Sequence, residues 1–183
     1  MEWNEPLEQT EDEEGFAGAL DQYAGQTVRL WREEGAFVLR WEDDLLGRLS
    51  RPGEQMVAET REGRWEIRRP RRSIARIELV DGGSVFARYR RRAFRSAAIT
   101  TRTSEYRLHH RTAHPEWTLT DGSRGKLLEL RPAEGAAVLD VKVLGVPGLG
   151  SDLGPLALLC SYVLLMNSAS TAGSGSGPDA LPF

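Results

Sequence analysis

The chain has 183 residues, of which 40% are hydrophobic and 28% charged, and its formal net charge is −3. These are values of an ordinary globular protein, long enough for one domain with a substantial core. Cys160 is the only cysteine, which excludes an internal disulfide, and no apolar stretch follows a basic start, so no secretory signal is expected.

The net charge hides an asymmetry. Residues 1–60 carry 5 basic and 15 acidic side chains, a net of −10. Residues 61–111 carry 15 basic and 5 acidic ones, a net of +10, and residues 112–183 carry 4 and 7, a net of −3. Such polarity along a chain points to an anionic partner or to internal charge pairing. Almost all the positive charge is arginine, since Lys126 and Lys142 are the only lysines.

In chain order, residues 1–26 form an acidic segment around Glu11-Asp12-Glu13-Glu14, expected to be partly disordered. Phe16, Leu20 and Tyr23 have the spacing of a short amphipathic helix. From Thr27 to Val143 the pattern becomes short alternating runs between turn residues. Strands are expected at Thr27–Arg32, Ala36–Trp41, Leu45–Ser50, Gln55–Thr60, Arg64–Arg69, Ala75–Val80 and Ser84–Arg91. Others are expected at Ala97–Thr101, Glu105–His110, Glu116–Thr120, Lys126–Arg131 and Ala137–Val143. In the fifth, Trp65 and Ile67 oppose Arg64, Glu66 and Arg68, the period of a half-buried strand. Asp81-Gly82-Gly83 is a short-hairpin signal, because such turns need positive φ.

After Gly145–Gly150 (GVPGLG), read as a connector, comes DLGPLALLCSYVLLMN, residues Asp152–Asn167. Asp152 is a capping residue and Pro155 sits in the first turn, where a missing N–H costs nothing. No charged residue occurs between Asp152 and Asp179, and only Ser161 is polar between Leu156 and Met166. A helix apolar all round has to be buried. A span from Leu153 to Met166 covers roughly 20 Å at 1.5 Å per residue, short of the ~30 Å of a bilayer core. The burial is therefore in protein, with no transmembrane span. The tail, 168–183, is a flexible linker by composition.

About twelve strands need a filler, since eight already leave room only for side chains. A helix with its side chains is roughly 10–12 Å across, and tilted strands of six or seven residues make a wall roughly 15–20 Å tall. The expected fold is mainly β: an antiparallel barrel of about twelve strands, 27–167, enclosing a hydrophobic C-terminal α-helix at 153–167.

WEIRRP (Trp65–Pro70), RIELVDGGSVFARYRRR (Arg76–Arg92), WTLTDGSRGKLLEL (Trp117–Leu130) and VLDVKV (Val138–Val143), with the helix after them, resemble the tubby C-terminal-like superfamily. The first segment is especially like that of plant LURP-one-related proteins; phospholipid scramblases are further members. The resemblance implies a twelve-stranded barrel threaded by the C-terminal helix, with contact to membrane lipid; it does not imply an enzyme. It carries over no site residue: the lysine-arginine signature of tubby domains, and the acidic calcium segment and cysteine cluster of scramblases, have no counterpart here.

The candidate anion- or lipid-binding residues are Arg68, Arg69, Arg71, Arg72 and Arg76, with Arg88, Arg90 and Arg92 on the following strand and Arg91 and Arg95 beside them. If the two strands are neighbours, their outward arginines form one basic face, and a guanidinium grips phosphate oxygens bidentately. The same residues suit a solvated barrel exterior better, partly neutralised by Glu66, Glu78 and the acidic N-terminus, because charged outer faces are normal for antiparallel sheets. His109 and His110 are adjacent on a strand and point to opposite faces, so with His114 they make a poor metal shell. Cys160 reads as a buried small hydrophobe. Trp3, Trp31, Trp41, Trp65 and Trp117 mostly fall on apolar strand faces and read as core.

No nucleophile elbow, phosphate-cradling loop or metal-binding helix is present in the sequence. The expected function is that of a non-enzymatic cytoplasmic binding module without cofactor or metal. It would touch an anionic membrane surface peripherally, or a protein partner, through the arginine face. Nucleic acid binding by the same face is the alternative, disfavoured by the acidic net charge.

Overall fold

Alternating apolar and polar residues give each strand one face for a core, and twelve such strands close into a ring. In the computed structural model, which describes residues 15–70, 73–93, 96–110, 115–123, 125–144 and 152–172, the strands are β1 (Thr27–Glu33), β2 (Ala36–Trp41), β3 (Asp44–Ser50), β4 (Met56–Thr60), β5 (Gly63–Arg68) and β6 (Arg76–Asp81). They continue as β7 (Ser84–Ala93), β8 (Ser96–Thr101), β9 (Glu105–His110), β10 (Trp117–Thr120), β11 (Lys126–Pro132) and β12 (Leu139–Val143). Every expected strand is present, with ends shifted by one or two residues.

Each strand pairs antiparallel with its sequence neighbours, and β1 closes the barrel against β12. At that seam Asp140, 8% exposed, faces Arg29 on one side and Arg131 on the other, each at 3.3 Å. A carboxylate between two cross-strand arginines ties three strands together where chain connectivity does not.

The lumen is filled by α1 (Leu153–Ala172). All residues from Leu153 to Leu164 are buried, on every side of the helix, as its unbroken apolar sequence requires. The helix runs to Ala172, past the end expected at Asn167, and its 20 residues give roughly 30 Å of length. The final turns therefore extend beyond the wall, and Ser168 is exposed. No described helix is long and apolar enough to cross a membrane.

Because the strands run up and down in order, successive turns alternate between the two barrel ends. The helix enters beside the β4–β5 and β8–β9 turns. A Cβ on Gly154 would lie 2.9 Å from Oε2 of Glu62, and burial raises the carboxyl pKa of Asp152, partly offset by the facing Tyr106 hydroxyl. Acidic groups there complement the positive end of the helix dipole. The same end is covered by a 3₁₀ turn at Leu20–Tyr23, which buries Leu20 and donates the Tyr23 hydroxyl to Oδ2 of Asp44 at 2.9 Å. The opposite, or exit, end carries the β1–β2, β3–β4, β5–β6 and β7–β8 turns.

Close approach of helix to wall decides one residue type. Gly47 on β3 has no room for a side chain: a Cβ would meet Leu158 Cδ1 at 3.2 Å and the carbonyl oxygen of Glu59 at 3.3 Å.

Of the tryptophans, Trp65 is buried and packs on Phe86 with ring centroids 5.3 Å apart, while Trp41 and Trp117 are half-buried. Trp31 departs from the expected core position. Its partner in register is Val38, and both have the outward parity of the wall, opposite to the inward pair Leu30 and Leu39, with Val38 buried and Trp31 half-buried. Trp3 and the Gly145–Gly150 connector lie outside the described residues.

Candidate functional site

The arginine-rich face is built by neighbouring strands β5, β6 and β7, continued by β8 and β9. Alternation sends Ile67, Leu79 and Tyr89 inward to the helix, and their sequence neighbours Arg68, Glu78 and Arg88 outward. Register places the outward residues in rows across the barrel. One row runs Arg68, Glu78, Arg88, Thr100, Glu105; the next, toward the exit end, runs Arg76, Arg90, Ala98, Arg107.

The first row is neutralised. Glu78 accepts hydrogen bonds from Arg88 Nε at 2.8 Å and Arg76 Nη2 at 3.0 Å. Arg88, and secondarily Arg76, hold its carboxyl below the ordinary carboxylate range, against the raising effect of burial. Arg68 donates to Glu66 at 2.7 Å, and Arg92 to Glu105 at 3.1 Å. Four of the expected site residues, Arg68, Arg76, Arg88 and Arg92, are thus held by carboxylates, as the solvated-exterior reading of this face requires.

The second row differs. Arg90 and Arg107 are exposed and have no carboxylate partner among the described residues. They flank Ala98, 5% exposed, from the two adjacent strands, which sets their stems roughly 9–10 Å apart.

The remaining residues lie elsewhere. Arg69 is half-buried just past the end of β5. Arg91 pairs with inward-facing Ala97, so it leaves the outer face and stands at the exit mouth of the barrel. Arg71, Arg72 and Arg95 lie outside the described residues, as does His114. His109 and His110 do point to opposite faces: His109 stands opposite Ser96 on the outer side, whereas the His110 ring packs on Trp117 with centroids 4.8 Å apart. Arg107, which completes the row, was not among the expected residues, because its neighbourhood with Arg90 arises only through the register of β7, β8 and β9.

Within the barrel Cys160 is fully buried, and burial pushes its thiol pKa up to about 12. Such a thiol is no nucleophile.

No family model matches the chain, and no curated protein matches it. Among solved structures it is similar to an Arabidopsis thaliana protein determined by X-ray crystallography, with a TM-score of 0.50 and 14% sequence identity. The match covers 82% of this chain and 96% of that one. At this identity the likeness is one of fold, and it extends over nearly the whole of the plant protein.

Proposed function

We propose that this protein is a non-enzymatic binding module of the tubby C-terminal-like kind, which contacts anionic phospholipid headgroups peripherally from the cytoplasmic side. The observation that carries the reading is the row Arg76, Arg90, Ala98, Arg107, in which Arg90 and Arg107 stand exposed without carboxylate partners. Guanidinium groups without carboxylate partners can grip phosphate oxygens bidentately without first giving up an ion pair. The plant structure supports the fold side of this reading.

The test is flotation with neutral phosphatidylcholine vesicles and with vesicles containing phosphatidylserine, across a salt series. Each basic side chain close to an anionic surface contributes about 1 kcal/mol, so Arg90→Gln/Arg107→Gln should weaken partitioning by roughly thirtyfold. Arg68→Gln, whose partner is Glu66, should change it little. Equal flotation with both vesicles, or an unaffected double variant, refutes the reading. Displacement of anionic vesicles by low concentrations of oligonucleotide assigns the row to nucleic acid instead.

A further inference from the structure

On the other side of the barrel, where the β1–β2 turn and the β3–β4 loop approach each other, a groove of about 780 Å³ opens on the outer surface. Its volume falls in the range of small-molecule sites. Val38, 2% exposed, contributes to its floor, and Arg40, Arg48, Ser50 and Arg51 line it together with Glu33 and Glu34. The arginines are not equivalent. Arg40 is fixed to Glu33 by a bidentate pair at 3.1 and 3.2 Å, and donates a further hydrogen bond to the Asp43 carbonyl at 3.3 Å. It forms a wall. Arg48 and Arg51 have no partner among the described residues. Glu59 stands directly opposite Arg48 in register, yet its ion pair is with Arg64 at 3.5 Å.

We propose that this groove is a second, separate site that binds a phosphate monoester carried on a hydroxylated skeleton. The Arg48 and Arg51 guanidinium groups and the Ser50 hydroxyl supply donors along one wall, matching the oxygens of a phosphate dianion. Glu34 stands at the rim on the β1–β2 turn. As a carboxylate it repels a bare phosphate and accepts hydrogen bonds from hydroxyl groups, so it favours a phosphate whose carrier has hydroxyls beside it. The phosphate has two possible sources, a soluble sugar phosphate or a lipid headgroup.

The site is tested on the whole chain by following backbone amide resonances of Arg48, Leu49, Ser50 and Arg51 at fixed ionic strength. Glucose 6-phosphate, methyl phosphate, glucose and phosphatidylcholine vesicles containing phosphatidylinositol 4-phosphate are the probes. Saturable shifts are expected with glucose 6-phosphate, and weaker binding with methyl phosphate. Arg48→Gln/Arg51→Gln should weaken binding at least tenfold while leaving resonances outside the groove in place, and Glu34→Gln should narrow the difference between the two esters. Arg90→Gln/Arg107→Gln should bind as the parent does, so failure of the groove and failure of the arginine row read out separately. Saturation only with the phosphatidylinositol 4-phosphate vesicles, whose inositol ring bears both a phosphate monoester and free hydroxyls, makes the lipid the source of the phosphate. Shifts equal to those given by glucose, or no saturation with any phosphate, overturn the proposal.

Discussion

The seating of α1 in the barrel is tested most directly at Gly47 and Leu158. In Gly47→Ala the new Cβ would approach Leu158 Cδ1 and Cδ2 to 3.2 and 3.3 Å and the Glu59 carbonyl oxygen to 3.3 Å. The methyl has to displace either a packed leucine or strand backbone, and overpacking of this kind costs about 1–3 kcal/mol. Leu158→Ala removes a side chain with no solvent exposure from the barrel axis and should cost about 2–5 kcal/mol through lost transfer energy and the cavity left behind. In the double variant the Gly47→Ala methyl points into the space vacated by Leu158. The clash with the helix disappears, while that with the Glu59 carbonyl stays. The combined cost should then fall short of the sum by about 0.5–3 kcal/mol, the coupling range for residues in contact. Urea unfolding followed by tryptophan fluorescence reads this out as midpoints at constant m-value. Strict additivity would refute the seating of Leu158 against β3.

Glu78→Gln should cost roughly 0.5–1 kcal/mol at neutral pH, as a partly exposed paired carboxylate does. A carboxyl held below its unfolded pKa stabilises the fold above that unfolded value, and the contribution is lost as pH falls through the folded one. The gap between parent and variant should therefore close as pH drops below about 4; a gap independent of pH would show that Arg76 and Arg88 do not act on a charged Glu78. Cys160, with its thiol pKa pushed up to about 12 in the core, should react with a thiol reagent only as fast as the barrel opens, so labelling in native buffer faster than unfolding would contradict its burial. Glu34 and Gly35 both have positive φ, at 39° and 82°, a turn that favours Asn-Gly. Glu34→Asn should raise stability by roughly 0.5–1 kcal/mol in thermal unfolding, and a loss would argue against that turn.

The barrel was legible because its elements carry short-range signals. Period-two runs such as Arg64–Arg69 announce a half-buried strand, Asp81-Gly82-Gly83 announces a tight turn, and the run from Leu153 to Met166 has no face for water. The site was less legible, because it depends on register. Arg68, Arg76 and Arg88 read as one basic cluster in sequence, yet the ladder sets Glu78 between them and leaves the charge mostly satisfied. Arg107 and Arg48 carried no local signal: each is one polar position in an ordinary alternating strand, and what distinguishes it is the residue that lies across from it. Trp31 was misplaced for a related reason. Its parity in β1 turns it away from the helix, opposite Val38 in register, and leaves it half-buried on the outer face of the wall.

The order in which the chain is synthesised bears on how this molecule reaches its fold. The core piece, α1, follows every strand that surrounds it, and β1 must wait for β12, since Thr27 pairs with Lys142. As the polypeptide leaves the ribosome, twelve strands with apolar inner faces emerge before the helix that fills them. Such long-range closure is slow and leaves sticky edges exposed meanwhile. Nascent chains of this protein should therefore depend on holding chaperones until the helix is released, and a product cut short before Leu153 should go to proteolysis rather than persist as an empty cylinder.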